Sequence, residues 1–172
     1  MNPISKNKIA DGVYFSSIQD SRFKTMKISA NIIVPLSEKS ASENALMCGV
    51  LSRSSKAYPD FTQLSRKLSS LYGADLGVSV RKAGDCQLIT ISASGIDDRY
   101  TLSGESVAKE LSDLLCDVIF EPNLKDGAFV ESEVEQERRQ LLDLIDSEFN
   151  DKRIYANGKL IENMCANEVF GI

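Results

Sequence analysis

Histidine is absent from this sequence of 172 residues. Serine triads, cysteine–histidine pairs and histidine-liganded zinc sites all need an imidazole as base or ligand, so this chain by itself supports none of them. The ten glycines form neither a G-x-G-x-x-G motif nor a P-loop, so the sequence has no glycine-rich loop of the kind that binds nucleotide phosphates. These absences exclude hydrolases with a histidine base and disfavour nucleotide enzymes.

Long hydrophobic runs and clusters of positive charge are also lacking. No apolar stretch approaches the length of a membrane span, and the first residues, MNPISKNKIADG, have no apolar signal region. The net charge of -5 and the scattered lysines and arginines disfavour binding to nucleic acid or anionic lipid. Since 42% of the residues are hydrophobic, we expect a packed core. The missing signal region, membrane span and basic clusters lead us to expect a soluble and cytoplasmic chain with no nucleic-acid or membrane partner.

The four cysteines, Cys48, Cys86, Cys116 and Cys165, lie far apart, and no C-x-x-C pair occurs. Metal sites and redox sites built on cysteine usually show such close spacing. We therefore predict that these cysteines are small buried core residues in a reducing compartment, and we expect no metal and no cofactor.

Hydrophobic periodicity predicts both strands and helices. Apolar residues alternate over residues 25–34, 74–81 and 86–93, and the last two stretches are joined by turn residues as in a hairpin. A shorter strand is predicted at 12–18. Helices are predicted after a Ser40 cap, from Phe61 to Gly73, after Ser103, and over 128–149 and 151–164. This order predicts the α+β class, an antiparallel or mixed sheet with helices packed on one face.

Two groups of side chains are candidates for a site on their own chemistry. Glu131, Glu133, Glu135 and Glu137 open the long acidic helix, and the i, i+4 pair Glu133 and Glu137 shares a face that suits a metal ion. Acids at a helix start also favour its positive end while facing water. The aromatics Tyr58, Phe61 and Tyr72 indicate either a ligand surface or ordinary core packing.

Two stretches of the chain resemble conserved blocks of the M16 family, which includes insulinase and the mitochondrial processing peptidase. The first is ENALMCGVLSRSSKAYPDFTQLSRKLSSLYGADLGVSV, and the second is FVESEVEQERRQLLDLID. The resemblance extends over about residues 10–165, and the order of predicted elements agrees with it. In active members the first block carries H-x-x-E-H, in which two histidines bind zinc and the glutamate activates water.

The resemblance implies that the zinc site of active members is lost here. Aligning the first block places Ala45, Cys48 and Gly49 where the motif has histidine, glutamate and histidine. In the second block a glutamate is followed seven residues later by the third zinc ligand. Glu137 matches that glutamate, but Leu144 stands at the ligand position. The resemblance therefore implies no catalytic residue, no metal and no enzyme activity.

The details L-Y-G-A and A-Y-P-D-F are most similar to inactive bacterial M16-like proteins associated with aminopentanol modification of elongation factor P. Family members usually carry two such domains per chain, and some pair an active with an inactive subunit. The resemblance thus implies that residues 1–172 are a single N-terminal domain, truncated from a longer two-domain chain. Its role would be a non-catalytic scaffold that binds a peptide or an active M16-like subunit in a heterodimer.

Two other interpretations stay open. In the first, the chain is a zinc metallopeptidase subunit whose metal site lies in a partner or in a missing half of the chain. In the second, it is an α+β module that binds a small ligand, and the resemblance to M16 proteins is accidental.

Overall fold

The structure is a computed structural model that describes residues 4–171, so residues 1–3 and 172, the ends of the predicted domain, lie outside it. Its strands are β1 (Ser5–Ala10), β2 (Val13–Ser17), β3 (Thr25–Pro35), β4 (Asp75–Ala83), β5 (Cys86–Ile96), β6 (Leu124–Lys125) and β7 (Ala128–Phe129). Its α-helices are α1 (Glu38–Leu51), α2 (Phe61–Ser70), α3 (Val107–Phe120), α4 (Glu131–Glu148) and α5 (Lys152–Met164).

The main sheet is antiparallel and has the strand order β3-β5-β4. The hairpin of β4 and β5 turns through two residues, Gly84 and Asp85, and Gly84 has a φ of 58°, a value that glycine adopts without strain. The registers align Ile28 of β3 and Leu76 of β4 with Ala93 of β5. The hairpin predicted from alternation is therefore confirmed, with strands a few residues longer than predicted.

One face of this sheet carries the core. Ile89, Ile91 and Ala93 on the central strand are at most 3% exposed. They belong to the same buried cluster as the apolar face of α3, which includes Val107, Leu111, Leu114, Leu115 and Val118. At Gly95 an added Cβ would lie 2.9 Å from Leu111 Cδ1, so glycine permits this close approach of strand and helix. The predicted α+β class, with helices on one face of the sheet, is confirmed.

The opposite face of the sheet is polar, and β3 forms one of its edges. Thr90 Oγ1 donates a hydrogen bond to Asn31 Oδ1 at 2.9 Å on this face. Strand β3 runs for eleven residues in unbroken register with β5, and Lys27 is its one charged residue. Its outer edge has no paired strand within residues 4–171, and Ile33 there is 71% exposed.

Several predicted element boundaries were wrong. The N-cap of α1 is Ser37, whose side chain accepts from the Ser40 backbone N–H at 3.2 Å, so Ser40 lies inside the first turn instead of capping it. The N-cap of α3 is Ser106 and not Ser103. The long acidic helix starts at Glu131, because residues 124–129 form a small hairpin that turns at Asp126 and Gly127.

A strand was also missed near the start of the chain. The stretch predicted as one strand at 12–18 is β2, and it pairs with β1 in a separate two-stranded sheet. All residues of this hairpin are exposed, including Ile9, Tyr14 and Phe15. Within residues 4–171, none of the helices combines the length and apolarity needed to cross a bilayer.

Candidate functional site

Helices α1 and α4 pack side by side and run in opposite directions. Near the C-terminal end of α1, Ser54 Oγ donates a hydrogen bond to Glu133 Oε2 at 2.8 Å. Five residues earlier in the chain, Gly49 contacts Glu137, which lies one turn further along α4 than Glu133. Glu133 and Glu137 are four residues apart and share one face of α4. Their contacts with Ser54 and Gly49 therefore place the motif positions of the first sequence block opposite those of the second.

Four of the five positions that the resemblance singled out line one cleft between these helices. Ala45 and Gly49 come from α1, and Glu137 and Leu144 come from α4. The cleft has a volume of about 340 Å³, and its other lining residues are Leu46, Gln140 and Leu141. Residues more than 80 apart in sequence are thus brought together at the predicted site.

Glu137 is engaged in an ion pair across the helix interface. The Arg53 guanidinium donates to Glu137 Oε1 at 2.5 Å, and the two side chains are only 17% and 12% exposed. Arg53 also lies over the Phe61 ring, 5.7 Å from its centroid. Among the arginines that neighbour Glu137 in sequence, Arg138 pairs with Glu135 at 3.6 Å. Sequence reasoning missed Arg53, which is 84 residues from its partner.

Gly49 provides the space in which the Glu137 side chain lies. A Cβ added at Gly49 would meet Glu137 Oε2 at 2.5 Å and Glu137 Cβ at 3.3 Å. A histidine at this position would therefore require the Glu137 side chain to shift. The glycine and the ion pair are mutually compatible, whereas the H-x-x-E-H residue at this position is not compatible with the present Glu137 conformation.

Cys48, the remaining motif position, does not line the cleft. Its side chain is 4% exposed and belongs to the hydrophobic core, where burial raises the pKa of the thiol. The prediction that cysteines are buried core residues is right for Cys48 and wrong for Cys116, which is exposed. Cys86 and Cys165 are half-buried, and all four thiols are free.

The two other candidate groups have structural contacts. Glu133 accepts from Ser54 and Glu137 pairs with Arg53, and residues 4–171 hold no cluster of three or more His, Cys, Asp or Glu suited to a metal ion. Among the aromatics, Tyr58 packs against the core and Phe61 is 57% exposed. Tyr72 also packs against the core, and its hydroxyl bonds the Glu105 carboxylate, so the three rings have different surroundings.

A second cleft, of about 500 Å³, opens where β3 and β4 begin and β5 ends. Lys27, Tyr72 and Asp75 line it together with backbone of neighbouring strands. Tyr72 there has a φ of 61°, the left-handed conformation, and precedes Gly73, which has a φ of 72°. The sequence predicted that α2 ends at Gly73, whereas the helix ends at Ser70, and no pattern in the sequence indicated the cleft.

Known proteins include relatives that are similar to this chain in sequence and in structure. No family model matches the chain. It is 28% identical over 155 residues to a probable inactive metalloprotease, YmfF, of Bacillus subtilis, with 90% of this chain and 36% of that protein covered. A crystal structure of a conserved protein from Enterococcus faecalis superposes with a TM-score of 0.85 at 27% identity, covering 91% of this chain and 37% of that one.

A further solved structure, a peptidase M16 inactive domain from Pseudomonas fluorescens, has a TM-score of 0.69 at 14% identity. It covers 98% of this chain and 37% of that chain, and it shows that the fold is shared. The chain thus spans little more than a third of the length of these relatives. The chain therefore shares its fold with an M16 inactive domain, as the resemblance to the M16 family implied, and two of these three relatives are named as inactive.

Proposed function

We propose that this M16-like chain is the non-catalytic member of a peptidase-like complex and acts by binding a protein or a peptide. The observation that carries the proposal is the composition of the α1–α4 cleft. Alanine, glycine and leucine offer no ligand atoms to zinc, and Glu137 is already paired with Arg53. A hydrolytic zinc site needs three protein ligands and a base for water, and this cleft supplies neither.

The cleft corresponds, in this proposal, to the zinc site of active M16 members. Support comes from the convergence of Ala45, Gly49, Glu137 and Leu144, which were selected from sequence blocks far apart in the chain. Cys48 is the exception, since it points into the core.

Metal analysis tests the loss of the zinc site. The purified chain, dialysed against micromolar zinc and then against buffer, is analysed by mass spectrometry for bound metal, and its hydrolysis of a fluorogenic peptide is followed with and without a chelator. We expect less than one zinc per ten chains and no chelator-sensitive cleavage. Stoichiometric zinc, or cleavage that the chelator removes, would contradict the proposal.

The domain organisation and the partner belong to the same proposal. We propose that residues 1–172 form the N-terminal domain of a longer two-domain chain, in line with relatives of which the matched region is little more than a third. The partner is an active M16-like subunit in a cytoplasmic heterodimer. Isolation of the intact protein from its own cells, followed by mass spectrometry and size-exclusion chromatography, tests this. Recovery of the protein without an M16-like chain would contradict the partner assignment.

The alternative of a metallopeptidase subunit with its metal elsewhere predicts the same result for the isolated chain. The two hypotheses predict different results for the assembled complex. Under the alternative, the complex would cleave peptides in a chelator-sensitive manner only when this chain is present. The small-ligand module rested on an accidental resemblance, and the fold shared with a peptidase M16 inactive domain speaks against that premise.

A further inference from the structure

The α1–α4 cleft is apolar and carries little net charge. Four of its seven lining residues are aliphatic, namely Ala45, Leu46, Leu141 and Leu144. Leu144 is 60% exposed, so the apolar wall is open to an approaching molecule. Ligand sites combine such apolar walls with a few polar groups that fix orientation, here Gln140 and Glu137.

The charge of Glu137 is compensated before any ligand binds. Arg53 holds one carboxylate oxygen at 2.5 Å, and the other lies beneath Gly49. A cation that entered the cleft would compete with Arg53 for Glu137 and lose its own hydration. An anion would meet the carboxylate directly. Burial of a charge without a partner is costly, so the cleft favours an uncharged occupant.

The size of the cleft limits the occupant further. Its volume of about 340 Å³ is at the lower end for small-molecule pockets, which begin at about 300 Å³. A cavity of about 150 Å³ already holds a benzene molecule, so the cleft has room for more than one aliphatic side chain. The small side chain of Ala45 helps to leave that room, because a longer side chain there would fill part of it.

We propose that the cleft is a pocket for uncharged apolar side chains, such as leucine, on a peptide segment of the bound partner. The inference rests on the proposed peptide-binding function and names the chemistry that this site recognises. The positions that hold metal ligands in active M16 members have, on this view, become the walls of an apolar specificity pocket.

The test uses the full 172-residue chain and three acetylated, amidated alanine pentapeptides whose central residue is leucine, lysine or glutamate. Methyl NMR spectra report on Leu46, Leu141 and Leu144. We expect the leucine peptide to shift these methyl signals, and the other two peptides to bind at least about tenfold more weakly, since only leucine gains from apolar burial. Absence of binding, equal binding of the lysine peptide, or shifts confined to other regions would overturn the inference.

Variants distinguish binding in the cleft from non-specific apolar association elsewhere on the surface. Ala45→Phe fills the cleft and is expected to abolish binding, whereas Ala156→Phe on the exposed surface of α5 is the matched control and leaves it unchanged. Arg53→Gln exposes the charge of Glu137 and is expected to shift preference to the lysine peptide. The double variant with Glu137→Gln restores the preference for leucine. Binding that survives Ala45→Phe in a folded protein overturns the inference, while zinc binding would overturn the proposed function itself.

Discussion

The ion pair between Arg53 and Glu137 allows a quantitative test of how α1 and α4 are held together. Arg53→Met removes the cation and keeps much of the aliphatic stem, and Glu137→Gln removes the anion and keeps the shape. Both side chains are less than a fifth exposed, so solvent screens the pair only in part. At a charge separation of about 4 Å and an effective dielectric constant of about 20, the attraction is about 4 kcal/mol.

Desolvation of the two groups offsets part of this attraction, and removal of one partner leaves a largely buried charge without compensation. We therefore expect each single variant to lose about 3 kcal/mol of unfolding free energy. The double variant should lose about 3 kcal/mol instead of about 6, because neither charge is left alone. Urea unfolding of the four proteins, followed by circular dichroism, measures this coupling of about 3 kcal/mol.

The coupling should persist in 1 M salt, since a partly buried pair is screened much less than a surface pair. Losses that add to within about 0.5 kcal/mol would refute the reasoning, because independent sites behave in that way. A coupling that disappears in high salt would show instead that the pair is solvated, contrary to its burial.

Three further predictions concern the same scaffold. In Gly158→Ala the new Cβ lies in open space, so the free energy of unfolding should rise by up to about 1 kcal/mol from helix propensity. In Gly49→Ala the new Cβ displaces a carboxylate, so the free energy of unfolding should fall by about 1 kcal/mol. Urea unfolding of both variants compares them. Cys48→Glu restores a residue of the H-x-x-E-H motif but places a carboxylate in the core. Its free energy of unfolding, measured in urea, should therefore fall by at least about 3 kcal/mol, and a smaller loss would argue against core burial. The Lys67 ammonium lowers the pKa of Glu110, so the pair stabilises above the unfolded carboxyl pKa and this stabilisation is lost as pH falls through the lowered folded pKa. Carboxyl NMR titration should show a higher Glu110 pKa in Lys67→Met than in the native chain, and an unchanged pKa would contradict the contact.

Helical periodicity was sufficient to place the two halves of the cleft on α1 and α4. It was not sufficient to orient every motif residue. Successive residues are about 100° apart around a helix, so Cys48 points away from its neighbour Gly49 and into the core. Which of these two residues faces the core depends on how α1 packs against the rest of the protein. This packing is set by contacts between residues far apart in sequence, so the pattern within the helix does not reveal it.

Long-range contacts were the main features that the sequence could not predict. Arginines at 138 and 139 were closer in sequence to Glu137, yet the partner is Arg53, because the opposite directions of the two helices bring the end of α1 beside that carboxylate. The hairpin of β6 and β7 was missed for another reason. Each strand has two residues, too few for alternation to be visible, although Asp126 and Gly127 carry the turn signal.

The outer edge of β3, which pairs with no other strand among residues 4–171, has a consequence for the behaviour of the purified chain. An exposed strand of this length, with one lysine and no bulge, is a template on which further backbone can form hydrogen bonds. Chains at high concentration should therefore associate edge to edge through β3. Melting temperatures of this protein would then depend on its concentration, and a lysine introduced at Ile33 should make them independent of it.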